Sequence, residues 1–133
     1  MNDLKVFRSS EMQLILAEAR AANGDLAGAA DAIRELRDAR FGMATPALAF
    51  ASAQEAFGVI LDERRVELCF EGHRWKDLKR LGARANRAID RDPLDCAVNG
   101  ACNLAVTDHR MQSLPIPLVE LNANDVIEQN AGY

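Results

Sequence analysis

Three glutamates in the middle of the chain have a spacing that could support acid–base chemistry. Glu63, Glu67 and Glu71 lie at i, i+4 and i+8, so one helix face would carry all three. A pair of carboxylates can serve as general acid and general base in hydrolysis. Such catalysis also needs a cleft and shifted pKa values, which no spacing can show. We therefore favour a charged ladder in which the glutamates bond to nearby arginines, Arg64, Arg74 or Arg80.

The two histidines are the next candidates for chemistry. A metal site would require His73 and His109 to converge with Asp77, Asp108 or Glu71, and this signal is weak. We favour surface or hydrogen-bonded histidines. The sequence also lacks a phosphate-binding loop, a nucleophile elbow and a dinucleotide fingerprint. We predict no catalytic residue, no metal and no cofactor.

Sugar binding generally uses flat aromatic faces, and Trp75 is the one large candidate. A tryptophan within a helical stripe more often packs in a core or an interface. We expect Trp75 to pack behind a bend at Gly72, and it stays a weak candidate for glycan contact. For Tyr133, at the end of the chain, we expect docking onto the domain.

The three cysteines have different expected roles. Cys69 lies in a helical pattern and is predicted to be a small core residue. Cys96 and Cys102 are six residues apart in a polar loop, where a turn at Asn99-Gly100 could bring the two sulfurs together. Two free thiols are the alternative. We favour a disulfide, because zinc would need more ligands than the loop offers.

The composition limits the class of protein that could present these residues. The chain has 133 residues, which fits one domain over 1–133, and 23 of them are alanine. Its net charge of −4 argues against a nucleic-acid surface. No apolar run approaches membrane-spanning length, and residues 1–10 lack the apolar segment of a signal peptide. Taken alone, the sequence indicates a cytoplasmic protein, unless an export signal lies upstream.

A helical hairpin is predicted over residues 10–41. Its first helix starts at an S-x-x-Q capping box, Ser10 and Gln13, and its second follows an Asn23-Gly24-Asp25 turn. The first helix carries one apolar stripe formed by Met12, Ile15, Leu16 and Ala19. Two helices joined so tightly run antiparallel, in the layout of one tetratricopeptide-like unit without its aromatic signature. One such unit cannot bury both of its faces.

Further helices are predicted over residues 53–82. A capping box at Ser52 and Glu55 opens a long helix, Gly72 bends or breaks it, and Gly82 ends the helical region. A short helical piece is predicted over 83–89, and 90–110 is predicted to be loop. The prolines of residues 114–117 require an extended segment, and Pro117 can open a short helix through Leu121. The fold class is all-α, a tetratricopeptide-like hairpin packed on a long helix, with an irregular loop and an extended C-terminal tail over 83–133.

Three stretches in register carry a resemblance to a known family. They are SEMQLILAEA at 10–19, ERRVELCFEGHRWKDLKRLG at 63–82, and PIP at 115–117 with Glu120 and a terminal QNAGY. Together they resemble the C-terminal part of the SusD/RagB family, with Ala131 where the family usually has proline. That family consists of glycan-binding outer-membrane lipoproteins that cover a TonB-dependent transporter and help it to import oligosaccharides. Its members are several times longer than this chain.

The resemblance implies a function and a location. This chain would be the C-terminal scaffold part of a carbohydrate-binding protein for nutrient uptake, on the extracellular face of the outer membrane. Its partners would be an oligosaccharide and the transporter, and an oxidising location would favour the bond between Cys96 and Cys102. The family's sugar-contacting aromatics lie mostly in parts without a counterpart here. The alternative is a tetratricopeptide-like protein-interaction module that binds no sugar.

Overall fold

The computed structural model describes residues 7–99 and 102–133 and confirms the all-α class. Its helices are α1 (Ser9–Ala22), α2 (Leu26–Phe41), α3 (Ala53–Glu67), α4 (His73–Ala85), α5 (Pro93–Asn99), α6 (His109–Gln112) and α7 (Leu118–Ala123). Two short strands, β1 (Ile89–Asp90) and β2 (Asn103–Leu104), pair antiparallel. The chain forms two compact units that divide between Arg87 and Ala88. The expectation of one domain over 1–133 stays a prediction.

The hairpin of α1 and α2 is confirmed, and its turn has the predicted chemistry. Gly24 has a φ of +82°, in the left-handed region that favours glycine. Asp25 then caps α2, because its carboxylate accepts a hydrogen bond from the Gly28 amide at 2.8 Å. Arg20 of α1 donates to the Gly28 carbonyl at 2.9 Å, so a side chain of one helix also holds the first turn of the other.

The predicted capping box of α1 was wrong, and the predicted apolar stripe is not the buried face of the helix. Ser10 lies inside the helix and is buried, Arg8 occupies the capping position, and Gln13 bonds instead to Ala32 and Glu35 of α2. The predicted stripe is the exposed side of the helix, which buries a second row instead, Ser10, Leu14, Ala17 and Ala21. Small residues in that row let α2 and α3 approach closely.

The start of α3 is as predicted, whereas the expectation for Cys69 was wrong. Ser52 accepts from the Glu55 amide at 3.1 Å, and the Glu55 carboxylate accepts from the amide of Ala51 at 2.7 Å. Helix α3 buries its central apolar residues, Ala56, Phe57, Ile60 and Leu61. It ends at Glu67, so Cys69 lies in the following turn and is exposed. Gly72, with a φ of +78°, separates α3 from α4 as predicted.

Gly82 does not end α4, contrary to prediction. The helix continues to Ala85, and Asn86 follows in the left-handed conformation. Gly82 belongs to the buried face together with Leu78, Leu81 and Ala85. Burial of that face compensates the low helix propensity of one glycine.

The second unit contains more regular structure than the predicted loop over 90–110. Asp92 accepts from the Leu94 amide at 2.8 Å and Pro93 is the first residue of α5, which is a typical helix start. Asp108 opens α6 in the same way, accepting from the Arg110 amide at 2.9 Å. A short helix after Pro117 is confirmed as α7. Gly100 of the predicted Asn99-Gly100 turn lies outside the described residues.

The C-terminal tail is fastened to the proline segment by side-chain amides. Ile116 donates its amide hydrogen to Gln129 Oε1 at 2.8 Å, and its carbonyl accepts from Gln129 Nε2 at 3.0 Å. Asn130 donates to the carbonyl of Leu114 at 2.6 Å, and the Tyr133 hydroxyl donates to that of Ser113 at 2.9 Å. The segment is extended, and its backbone groups need hydrogen-bond partners. Side chains of the tail provide the partners that a neighbouring strand would supply in a sheet.

Replacement of Gly24 by valine tests the turn of the hairpin. A Cβ at this position would meet no atom within 4 Å, so the cost comes from the backbone conformation alone. We expect Gly24→Val to lower the free energy of unfolding by about 1 kcal/mol or more. Gly24→Asn is the matched control, since asparagine tolerates this conformation better. Equal thermal melts of the valine variant and the parent chain would contradict the left-handed assignment.

Cys96 and Cys102 form a disulfide in this structure, with Cα atoms 4.8 Å apart. We predict that protein made in an oxidising compartment contains this bond, while Cys69 remains free. Non-reducing peptide mapping after alkylation measures all three thiols in one experiment. Alkylation of both Cys96 and Cys102 in periplasmically expressed protein would refute the prediction.

Candidate functional site

A buried ion pair lies at the centre of the first unit. Arg64 of α3 donates from Nε to Asp77 Oδ2 of α4 at 2.7 Å, and each side chain is only 5% exposed. Arg80, one turn further along α4, donates to the other oxygen of Asp77 at 2.8 and 3.1 Å. Arg80 also bonds to Glu18 of α1. These four side chains therefore connect three helices through charge-assisted hydrogen bonds.

One donor of this cluster has no acceptor. The Nη1 atom of Arg64 is buried and makes no hydrogen bond to any residue within 7–99 or 102–133. A buried donor without an acceptor costs about 1–3 kcal/mol. The guanidinium is therefore only partly compensated by Asp77.

The three glutamates do form ion pairs, but with arginines that the sequence did not indicate. Glu63 accepts from Arg37 of α2 at 2.9 and 3.0 Å. Glu67 accepts from Arg40 of α2 at 2.9 Å and from Arg8 at 2.6 Å. Glu71 lies beyond the end of α3 and also accepts from Arg8, at 2.6 Å. The pairs thus join different segments of the chain, because α2 lies beside the acidic face of α3.

The arginines proposed as partners have other roles. Arg64 and Arg80 bond to Asp77, and Arg74 donates to the Leu61 carbonyl at 3.2 Å. Hydrogen bonds from Arg40, assisted by Arg8, lower the pKa of Glu67 from 4.5 to about 2 despite partial burial. This is the opposite of the raised pKa that a general acid needs near neutral pH.

A cleft of about 460 Å³ opens between α1 and α4 beside the buried pair. Its α1 wall is one helical face, formed by Ile15, Glu18, Ala19 and Ala22. Phe57 and Arg64 of α3 also line it. Its α4 wall is mostly basic and contains His73, Lys76, Asp77, Arg80 and Arg84. A mostly apolar wall that carries Glu18 thus faces a mostly basic wall that carries Asp77.

Trp75 does not occupy the interior, contrary to our expectation. Its side chain is 41% exposed and lines a second cavity, of about 390 Å³, at the Gly72 bend. Phe70 lines the same cavity, is fully exposed, and has a φ of +63°, which is unusual for a bulky residue. Helix α4 buries Leu78 and Leu81, while Trp75 lies to one side of that row. The cavity also contains basic side chains, among them Arg65 and Arg74.

Sequence reasoning missed Phe70, because the long helix predicted after Ser52 extended as far as Gly72. The end of α3 at Glu67 leaves Phe70 in a turn instead. A glycine two residues later was the available signal that this segment leaves the helix.

The histidines lie in different units and have separate surroundings. His73 Nδ1 is 3.5 Å from Arg64 Nη2 and 4.0 Å from Glu11 Oε1. His109 contacts the ring of Tyr133 edge to face, with ring centres 4.9 Å apart. In the described part of the chain, no group of histidine, cysteine and acidic side chains is arranged to hold a metal ion. None of the helices described here is long and apolar enough to cross a membrane.

Comparisons with known proteins give a consistent result. The model of the SusD family matches residues 1–133. A SusD-like protein of Formosa agariphila is 31% identical over 134 residues, which cover 96% of this chain and 24% of that protein. The crystal structure of a SusD-like protein of Bacteroides fragilis has a TM-score of 0.58 and 26% identity, covering 93% of this chain and 25% of that one. The chain thus spans about a quarter of the length of these relatives.

The lowered pKa of Glu67 predicts how stability depends on pH. Its contribution is fully present above the pKa of the unfolded chain, near 4.5, and is lost as pH falls toward about 2. We expect Glu67→Gln to lower the free energy of unfolding by about 1–3 kcal/mol at pH 7. Between pH 5 and pH 2 the gap between variant and parent should narrow. Denaturation by urea over this pH range measures it.

Glu120→Gln is the matched control, since it removes an exposed carboxylate from the second unit. The free energy of unfolding of this variant should follow the same pH dependence as that of the parent. A gap between Glu67→Gln and the parent that stays constant from pH 7 to pH 2 would contradict the prediction.

Proposed function

The chain belongs to the SusD family, and from this premise we propose that it is the C-terminal scaffold part of a carbohydrate-binding outer-membrane protein. In this role the protein takes up glycans together with a TonB-dependent transporter, on the extracellular face of the outer membrane. The observation that carries the proposal is the family match over residues 1–133. The fold agreement with a SusD-like crystal structure supports it.

A scaffold role agrees with how the charged residues are used. Arg64, Asp77 and Arg80 are paired with one another, and Glu63 and Glu67 are paired with arginines of other segments. Groups committed to such pairs position helices and are poorly suited to acid–base catalysis. We therefore propose no enzymatic activity for this chain.

The sugar surface of this chain is small. Trp75 and Phe70 are the exposed aromatics at one cavity, and Arg65 and Arg74 could add hydrogen bonds there. Each such hydrogen bond replaces one made to water and gains only about 1 kcal/mol. Millimolar binding already requires about 4 kcal/mol. We propose that the main glycan contacts of SusD-like proteins lie in regions without a counterpart in this chain.

The alternative function, a tetratricopeptide-like interaction module without sugar binding, has one observation in its favour. The apolar stripe of α1 is exposed in the described structure, as expected for a surface that another protein covers. Genomic context distinguishes the two functions. A lipoprotein signal upstream and a neighbouring transporter gene would favour glycan uptake, and the absence of both would favour the module.

Calorimetry tests the scaffold role directly. We expect the 133-residue chain to bind oligosaccharides of starch, levan, xylan and host glycans with dissociation constants of about 1 mM or weaker. The chain offers two matched variants, Trp75→Ala and Phe70→Ala, which remove the exposed aromatic faces singly. We expect both variants to give the same binding heats as the parent chain, because those heats are already near the background. A dissociation constant below about 100 μM that is lost in Trp75→Ala would overturn the scaffold role.

A further inference from the structure

We propose that the disulfide between Cys96 and Cys102 is a redox-sensitive lock on the pair of strands β1 and β2. In the oxidised chain the bond keeps the two strands together, and its reduction releases them while the C-terminal tail stays fastened. The lock consists of residues of the second unit alone. It therefore needs no ligand, no second protein and no free surface on the first unit.

The two strands are too short to hold each other. β1 and β2 pair through only two residues each, and the paired side chains of Ile89 and Leu104 are only half-buried. The Arg91 amide adds one hydrogen bond beyond the strands, to the Cys102 carbonyl at 3.1 Å. An isolated pair of strands is at best marginally stable in water. A further constraint must therefore keep β1 and β2 together.

The disulfide supplies this constraint. Cys102 is the residue directly before β2, and its bonded partner Cys96 lies in α5, which begins shortly after β1 ends. The Cys96 amide also donates to the Asp92 carbonyl at 3.2 Å, so Cys96 is held close to the end of β1. A cross-link lowers the entropy of the open conformations of a chain. The bond between the cysteines thus favours the paired strands over the separated ones.

The tail is fastened by different groups. Its hydrogen bonds use residues of 113–133 only, and they join Ile116 to Gln129, Leu114 to Asn130 and Ser113 to Tyr133. All of these residues lie outside the segment 89–104 that contains the strands and the disulfide. Loss of the disulfide should therefore open the strand pair locally and leave the tail in place.

The two sulfurs differ in their access to an incoming thiolate. Cys102 is exposed, whereas Cys96 is only 6% exposed, so we expect attack at Cys102 Sγ. A bond forms between the sulfur of the reductant and Cys102, the bond between the cysteines breaks, and Cys96 leaves as a thiolate that takes up a proton. The released Cys96 thiol has an acceptor in place, because the Arg91 carbonyl oxygen lies 3.9 Å from its sulfur.

A dithiol reductant completes the reaction. Its second thiolate attacks the mixed disulfide, and Cys102 leaves and takes up a proton in turn. The reductant becomes a disulfide and gives up two electrons, which the two cysteines of the chain receive as a pair of thiols.

Residue-resolved amide exchange by NMR tests the lock on the 133-residue chain, expressed in the periplasm and measured with and without excess dithiothreitol. We expect the Arg91 amide to exchange at least about tenfold faster after reduction, because its hydrogen bond to Cys102 is lost when the strands separate. The exchange of the Ile116 amide, which donates to Gln129, should change by less than about twofold.

Variants separate the disulfide from other effects of the reductant. In the double variant with Cys96→Ser and Cys102→Ser, the Arg91 amide should exchange as in the reduced parent, with or without dithiothreitol. Cys69→Ser is the matched control, because it removes the exposed free thiol of the first unit, and it should respond to dithiothreitol as the parent does.

Peptide mapping identifies the sulfur that is attacked. The oxidised chain is treated with a limiting amount of glutathione, and the reaction is stopped with acid before the mixed disulfide can rearrange. We expect glutathione on Cys102 at least about fivefold more often than on Cys96.

Several outcomes would overturn the proposal. Equal exchange of the Arg91 amide in the oxidised and reduced chains would show that the bond does not hold the strands. Equal acceleration at Arg91 and Ile116 would show that reduction unfolds the whole unit. A disulfide that is absent, or that survives excess dithiothreitol in the folded chain, would exclude a redox-sensitive lock. Glutathione mainly on Cys96 would refute the attack at Cys102.

Discussion

The buried pair between Arg64 and Asp77 is the interaction on which the first unit depends most. Breaking such a pair by removing one partner typically costs about 3–5 kcal/mol, because the remaining charge stays buried. Asp77 also holds Arg80, which reaches Glu18 on α1. The angle between α3 and α4 at the Gly72 bend is thus coupled to the position of α1. Apolar packing is non-directional, whereas these hydrogen bonds have preferred distances and angles and so restrict how the three helices can be arranged.

Local signals in the sequence predicted some of the helix boundaries, namely the turn of the hairpin and the start of α3. The Asn23-Gly24-Asp25 turn and the Ser52 cap lie where they were expected, since they depend on residues only a few positions apart. The Asp92-Pro93 start of α5 has the same kind of signal and could have been identified. Gly82 shows the limit of such rules, because the burial of its helix face depends on distant residues.

Long-range partners could not be predicted from spacing. The glutamate ladder was expected to pair within its own region, but Arg37, Arg40 and Arg8 approach it only after the helices have packed. The face of α1 posed a related problem. Periodicity identified Met12, Ile15 and Leu16 as an apolar row, yet it could not show which neighbour covers that row. Trp75 was expected in the interior for the same reason, because periodicity does not show which neighbour covers a side chain. Its place at the cavity beside Gly72 is visible only in the structure.

The amide clamp at Gln129 responds to solvent differently from the ion pairs of the first unit. The first unit relies on arginine–carboxylate pairs, which acid neutralises and which dissolved salt screens where they are exposed. The clamp on Ile116 consists of uncharged groups that neither acid nor salt titrates or screens. High ionic strength should therefore weaken the exposed arginine–carboxylate pairs and leave the clamp on Ile116 in place. Amide hydrogen exchange would then show reduced protection near those pairs and retained protection at Ile116.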